Sequence, residues 1–393
     1  MKICFITTTI FNLGGVQRVV SVLASELSKN NKVDVICTDR TFKVNREMYN
    51  LNSNVSIKFN SGLLHKKFTN KVICKISREM NSITGILNNS VMSDLLLYGY
   101  CPNEVQDRFI KYLNTRNYDV IIGVEGYYSI VLGKISDKLN GKTIGWMHNS
   151  YDAYLNNKGK YYWKQEELFK RYIPKLNCNV VLTYDDKIKY KEKLGIDCKV
   201  IYNPLSFECN KKSSCDKKSI IFVGRLLEQQ KGLDLLIEVF NIIHKKKSDW
   251  ILKIVGEGPD RESLISHIEK YNLKNNVILL GQCDNVKDHY LESSIFVSTS
   301  RWEGFGLAIT EAMECGLPVV AFDNSGPKEI ISKPNINGVL VGDYNINKFA
   351  DEIISLIEND EKRASMSLES IKRAQDFKID NIIKQWIQII EKQ

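Results

Sequence analysis

No stretch of about 18 consecutive apolar residues occurs in this 393-residue chain, so no membrane-spanning helix is expected. The apolar N-terminus, MKICFITTTIFNLGG, lacks a small-residue cleavage site. It reads as a first buried strand running into a glycine turn, and no signal peptide is expected. The 10 cysteines form no C-x-x-C pair. Without an export signal they are expected as reduced thiols in a cytosol, acting as small core hydrophobes in preference to metal ligands.

Chemistry-bearing motifs are missing as well. There is no H-E-x-x-H, no G-x-S-x-G elbow and no G-x-x-x-x-G-K-[ST] loop. These absences argue against a zinc protease, an α/β-hydrolase and a P-loop NTPase. No G-x-G-x-x-G supports a nicotinamide site, and no D-x-D supports a metal holding a nucleotide diphosphate. No metal or other cofactor is expected.

What is present is ordinary for a folded protein: 43% hydrophobic and 26% charged residues, which excludes disorder as the main state. Length alone predicts two or three domains. The net charge of +9 is unevenly spread. Residues 1–210 hold 30 Lys and Arg against 19 Asp and Glu, a net of +11, and the remainder holds 25 against 27, a net of −2. The basic first half predicts an anionic partner there. An acidic membrane leaflet fits. Nucleic acid is not expected, because no nucleic-acid motif appears.

Two blocks of alternating strand and helix follow one another. In the first, the strands are expected at 2–7, 32–38, 55–59, 118–124, 141–148, 179–184 and 199–204. Residues 206–218 are polar and are expected to link the blocks. In the second block, strands are expected at 219–224, 250–256, 276–281, 295–300 and 318–322, with helices between. Short Val- and Ile-rich strands alternating with helices imply an α/β protein with parallel sheets covered on both faces. The last stretch, 379–392, is an amphipathic helix. Residues 64–87 mix Lys66, Lys67, Lys71, Lys75 and Arg78 with apolar residues, the pattern of a basic helix on a membrane surface or of an ordinary solvated helix.

Four segments carry candidate chemistry. Glu303-Gly304-Phe305-Gly306-Leu307 follows a strand and opens a helix that carries Glu311. The glycines permit close ligand approach and the helix N-terminus suits a diphosphate. Carboxylates such as Glu303 and Glu311 accept hydrogen bonds from sugar hydroxyls. A plain glycine turn with two solvated glutamates has the same pattern. Arg225 and Lys231 stand just past another strand, where open α/β sheets bind ligands, and two cations there would grip a diphosphate. Asn12-Leu13-Gly14-Gly15 forms a glycine turn between the first strand and helix. His148 ends a predicted strand; it reads either as a substrate contact or as a satisfied structural histidine. Asp185-Asp186 is read as the first turn of a helix.

Taken together, these segments resemble the family 4 glycosyltransferases, which have the GT-B fold. The stretch EGFGLAITE, Glu303 to Glu311, is similar to that family's E-x7-E motif, and VGRLLEQQKG is similar to its G-R-x-x-x-x-K-G segment. IVGEGPDRESL, ILLGQCDNV and GLPVVAFDNSGPKEII also match. The resemblance is strong over about 219–345 and weaker over 1–205, where Gln17 stands where the family often has Glu.

It implies two Rossmann-like domains with parallel sheets facing across a cleft: 1–205 binding the acceptor, with a final helix of about 376–393 crossing back, and 219–375 binding a sugar nucleotide. By resemblance, Arg225 and Lys231 hold the diphosphate, Glu311 the ribose, and Glu303 with Gly304, Phe305, Gly306 and Leu307 the donor sugar and phosphates. Gln282 and Cys283 would lie near the base, and His148 and Gly15 would line the sugar and acceptor side. Glu303, Lys231, Arg225 and His148 are the residues expected to carry the chemistry.

The implied activity is retaining transfer of a hexose or N-acetylhexosamine from a nucleoside diphosphate sugar, UDP in preference to GDP. The acceptor would be a lipid-linked saccharide in bacterial capsule, O-antigen or exopolysaccharide synthesis, at the inner face of the cell membrane. The alternatives are a GT-B enzyme on a soluble acceptor and a non-catalytic sugar-nucleotide-binding subunit.

Overall fold

In the computed structural model, which describes residues 1–283 and 285–392, the chain divides into two compact units. The first is Met1–Pro204 together with Ile379–Gln393, and the second is Leu205–Lys378.

The first unit is built on a seven-stranded sheet: β1 (Lys2–Thr7), β2 (Lys32–Cys37), β3 (Ser56–Phe59), β4 (Val120–Val124), β5 (Lys142–Trp146), β6 (Cys178–Val181) and β7 (Lys199–Val200). All pairings are parallel, in the order β3-β2-β1-β4-β5-β6-β7. Every residue of β4 and all but the first of β1 are buried. Helices therefore cover both faces, which is why these strands read as continuous apolar runs instead of alternating ones.

The second unit repeats the plan with six strands: β8 (Ser219–Val223), β9 (Ile251–Val255), β10 (Val277–Gly281), β11 (Ile295–Ser298), β12 (Val319–Phe322) and β13 (Val339–Val341). Their order is β10-β9-β8-β11-β12-β13, again parallel. Both units are Rossmann-like. In each, the strand order reverses once: between β1 and β4, and between β8 and β11. Loops leaving the two strands at such a point diverge and open a crevice beyond the strand ends.

Two local features differ from the sequence expectation. β13 was not anticipated, because Val339–Val341 is only three residues long and gives too little periodicity to read. Residues 206–218 are part of the second unit, not a free linker. The Cys209 amide donates to Glu314 at 2.9 Å, Lys212 Nζ reaches the same carboxylate at 2.9 Å, and the Ser213 hydroxyl donates to the Ser293 carbonyl at 2.6 Å. The segment is largely exposed, and these few bonds tie it to the second unit. The last helix runs over Ile379–Glu391, as its amphipathic pattern over 379–392 implied, after a 3-10 turn at Gln375–Phe377.

That helix, Ile379–Glu391, buries Ile382, Trp386 and Ile390, one every fourth residue. Trp386 meets Trp146 of β5 edge-on, with ring centroids 4.7 Å apart. The Asp185-Asp186 pair does open a helix, Tyr184–Leu194, with the Thr183 hydroxyl accepting from the Asp186 amide at 3.0 Å. All ten cysteines are free thiols, eight of them buried.

Candidate functional site

The second sheet's reversal point carries the central group of candidate residues. After β8, a short helix, Glu228–Lys231, ends at Gly232, whose φ is +62°. A Cβ at this position would lie 2.2 Å from the Thr299 carbonyl oxygen, so the chain can approach the loop after β11 only with glycine here. The approach is stitched by hydrogen bonds. The Thr299 hydroxyl donates to the Lys231 carbonyl at 3.0 Å and the Arg301 amide to the Gln230 carbonyl at 2.7 Å.

This close approach brings two expected site residues together. Lys231 Nζ donates to Glu303 Oε1, and the Ser300 hydroxyl donates to the same oxygen at 2.9 Å. The side chains of Lys231 and Glu303 are only 17% and 13% exposed, so water screens the pair weakly. Directly after Glu303, Gly304 and Phe305 are buried while Gly306 and Leu307 are partly open. Gly306, at φ +110°, opens the helix Leu307–Glu314. The first amides of a helix lack an intrahelical acceptor and carry its positive end, which suits this turn to a phosphate.

Arg301 locks the same loop from behind. Its guanidinium forks onto Asp234 at 2.9 and 2.5 Å and donates to the Glu228 carbonyl at 3.0 Å. Burial opposes ionisation of Asp234, but the Arg301 hydrogen bonds and charge outweigh it and hold the carboxyl below its usual range. Sequence reading missed Arg301 and Asp234; no spacing signal joins two residues 67 positions apart.

The other expected residues are placed differently. Arg225 is exposed two residues past β8, and its guanidinium has no ion pair among the described residues. Glu311 does not share Glu303's environment. It is 1% exposed, with Oε1 accepting from the Ser206 hydroxyl and Oε2 from the Tyr290 hydroxyl at 3.2 Å. Ser206 and Tyr290 are two further residues that sequence reading missed. Gln282 is exposed and Cys283 half-buried just past edge strand β10, two strands from β8. Asp284 lies outside the described residues.

Gly15 and His148 belong to the first unit. Gly15 is exposed and begins the helix Gly15–Leu27, with the Gly14 amide donating to the Tyr49 hydroxyl at 3.2 Å. His148 lies two residues past β5, its ring centroid 4.2 Å from that of Trp146. It is buried, and its Nε2 has no hydrogen-bond partner. Desolvation pushes its pKa down to about 3, so the ring is neutral at ordinary pH. Protein groups leave this one ring nitrogen unsatisfied.

Among the described residues no helix is long and apolar enough to cross a membrane, and no group of three or more His, Cys, Asp or Glu is placed to hold a metal ion.

Comparison with known proteins decides the family. The family model for glycosyl transferases group 1 matches residues 208–373, nearly the whole second unit. An uncharacterized glycosyltransferase of Haemophilus influenzae is 32% identical over 273 residues, covering 68% of this chain and 75% of the relative.

The chain belongs to the group 1 glycosyltransferases.

A Campylobacter jejuni relative spans the whole transferase: 24% identical over 400 residues, 99% of this chain and 98% of its own. It is the GalNAc-alpha-(1->4)-GalNAc-alpha-(1->3)-diNAcBac-PP-undecaprenol alpha-1,4-N-acetyl-D-galactosaminyltransferase. A solved structure of Anabaena HepE in complex with UDP is 19% identical, covers 100% of both chains and has a TM-score of 0.74. The transferase has the GT-B fold, with two Rossmann-like units.

Proposed function

We propose that the transferase moves a hexose or N-acetylhexosamine from a nucleoside diphosphate sugar, UDP in preference to GDP, to a lipid-linked saccharide acceptor in bacterial surface-polysaccharide synthesis, with retention at the anomeric carbon. The observation that carries this reading is the Lys231–Glu303 pair at the reversal point of the second sheet.

As the anomeric bond breaks, the sugar becomes oxocarbenium-like and negative charge grows on the departing diphosphate. Lys231, Arg225 and the helix start at Gly306–Leu307 are the groups that meet this charge. Lys231 and the helix start are held in place before reaction and so stabilise the transition state more than the ground state, while the exposed Arg225 adds its charge. Glu303 Oε1 is already engaged by Lys231 and Ser300. That engagement supports a carboxylate that orients Lys231 and receives donor-sugar hydroxyls, in preference to one that attacks the anomeric carbon. The leaving phosphate then takes the proton of the acceptor hydroxyl on the same face. With cations and amides supplying the charge, and no D-x-D in the sequence, neither a metal ion nor another cofactor is assigned a role.

We assign the ribose to Glu311, with its hydroxyls taking the place of the Ser206 hydroxyl, and the base to the neighbourhood of Gln282 and Cys283. Neutral His148, with a free Nε2, receives a sugar hydroxyl, and Gly15 leaves room for the acceptor side. The UDP complex of HepE supports the choice of nucleotide, and the undecaprenol-linked substrate in the Campylobacter relative's name supports the acceptor class.

An inverted helix supports a place on the inner face of an anionic membrane. Helix Phe68–Thr84 buries Cys74, Ser77 and Asn81 and turns its apolar residues outward: Phe68 is 82% exposed, Ile76 59% and Ile83 77%. Exposed apolar residues flanked by Lys71 and Lys75 fit a helix lying in a lipid interface. No nucleic acid partner is assigned.

The test is incubation with radiolabelled UDP- and GDP-sugars and a bacterial membrane lipid extract. Label is expected in the lipid phase with a UDP-sugar, and not with Lys231→Ala. No transfer from any common donor overturns the reading.

A further inference from the structure

The first unit holds a cavity of about 500 Å³ that none of the assignments above uses. It lies where that sheet's strand order reverses: Thr8 follows β1, Thr38 and Asp39 follow β2, and Glu125 follows β4. Its size falls within the range of about 300–1,000 Å³ typical of small-molecule sites. Open α/β sheets bind ligands at this kind of place.

The lining is selective. The Tyr128 hydroxyl is fixed by Thr38 at 2.5 Å and Thr8 at 3.2 Å, and the Tyr162 hydroxyl accepts the Tyr127 amide at 2.8 Å. These bonds hold aromatic rings in place around the space. Lys66 is tied to the Tyr100 carbonyl at 2.9 Å. Arg78 lies over the Tyr100 ring, 5.9 Å from its centroid, and has no ion pair among the described residues.

Glu125 stands out. It has φ +69°, an uncommon conformation for a side chain of its size. Its carboxylate has no hydrogen bond or ion pair among the described residues, and burial pushes its pKa up to about 7. A strained backbone and a desolvated acid without a partner both destabilise the fold, and such costs collect at functional sites.

We propose that this cavity takes one sugar ring of the acceptor, with Glu125 accepting its hydroxyls, the tyrosine faces covering its C–H surface and Arg78 donating to its ring or substituent oxygens. Carboxylates accept from hydroxyl groups, and aromatic faces supply rigid amphipathic surface. Glu125 is then a specificity residue for the acceptor. This deepens the transferase reading and rests on it.

The test is saturation-transfer NMR of the full chain, without donor, against the methyl α-glycosides of glucose, galactose, N-acetylglucosamine and N-acetylgalactosamine. At least one is expected to bind, with affinity about tenfold weaker in Glu125→Gln, the scale of a lost charged hydrogen bond. A similar loss is expected in Arg78→Gln. Calorimetric binding of UDP is expected to be equal in wild type and both variants. If no glycoside binds, or binding is equal in all three proteins, the proposal is overturned. If UDP itself fails to bind the wild type, it is the donor assignment in the second unit that fails.

Discussion

Lys231 and Glu303 are 72 residues apart in the chain and joined by a hydrogen bond at the ends of two adjacent strands' loops. The glycine at 232 and the Thr299–Lys231 bond create the approach; the ion pair uses it. This relation separates the two residues' roles experimentally.

Lys231→Ala is expected to lower kcat by about 100- to 1,000-fold, the effect of deleting one preorganised electrostatic donor. Glu303→Gln is expected to be milder on donor binding than on turnover, because the amide keeps a hydrogen-bond acceptor for Lys231 while losing charge. Steady-state kinetics with a saturating UDP-sugar checks both. Full activity in Lys231→Ala and in Glu303→Ala would refute the site assignment.

Arg301 bonds Asp234 and the Glu228 carbonyl and is expected to act through the loop. Asp234→Asn removes the charge from a forked, largely shielded pair and is expected to cost about 1–2 kcal/mol of stability, between the values for surface pairs and charged hydrogen bonds. Arg301→Lys keeps the charge but loses the fork. It is expected to lower kcat with little change in UDP binding. Urea denaturation and calorimetry measure these separately.

His148 is expected to make the first unit acid-sensitive. Its folded pKa, about 3, lies below its unfolded value near 6.5. Its contribution is therefore intact above pH 6.5 and lost progressively as pH falls toward 3, because only the unfolded chain takes up the proton. Asp186 and Glu125, both raised to about 7 by burial, act in the opposite sense as pH falls through that value. The His148 share is isolated by comparison with His148→Asn. Between pH 7 and pH 5 the wild type is expected to lose about 2 kcal/mol relative to that variant, at about 1.4 kcal/mol per pKa unit. Urea denaturation at the two pH values measures the difference.

Trp386 is fully buried against Trp146. Trp386→Ala is expected to destabilise the first unit by about 3–5 kcal/mol through the cavity it leaves. Thermal unfolding of the full chain, followed by tryptophan fluorescence, reads this loss.

Membrane attachment has its own variant. Ile76→Glu with Ile83→Glu replaces outward-facing side chains, so the unfolding midpoint is expected to stay at the wild-type value. Co-flotation with phosphatidylglycerol vesicles is expected to disappear, and unchanged flotation would remove the helix from that role.

The alternating strands and helices, the two blocks and the loops that follow β8 and β11 were legible in the chain alone, because burial of a parallel sheet on both faces imposes continuous apolar runs of fixed length. Glycine spacing near Glu303 and the cations at 225 and 231 were legible for the same local reason: backbone conformation and charge are properties of neighbouring residues. Tertiary structure alone decided which of them meet. It paired Lys231 with Glu303, buried Glu311 beneath Ser206 and Tyr290, left His148 Nε2 without a hydrogen bond and turned the apolar side of helix Phe68–Thr84 outward. Those outcomes depend on contacts between segments tens of residues apart, and on the desolvation that packing imposes, neither of which leaves a periodic trace in sequence.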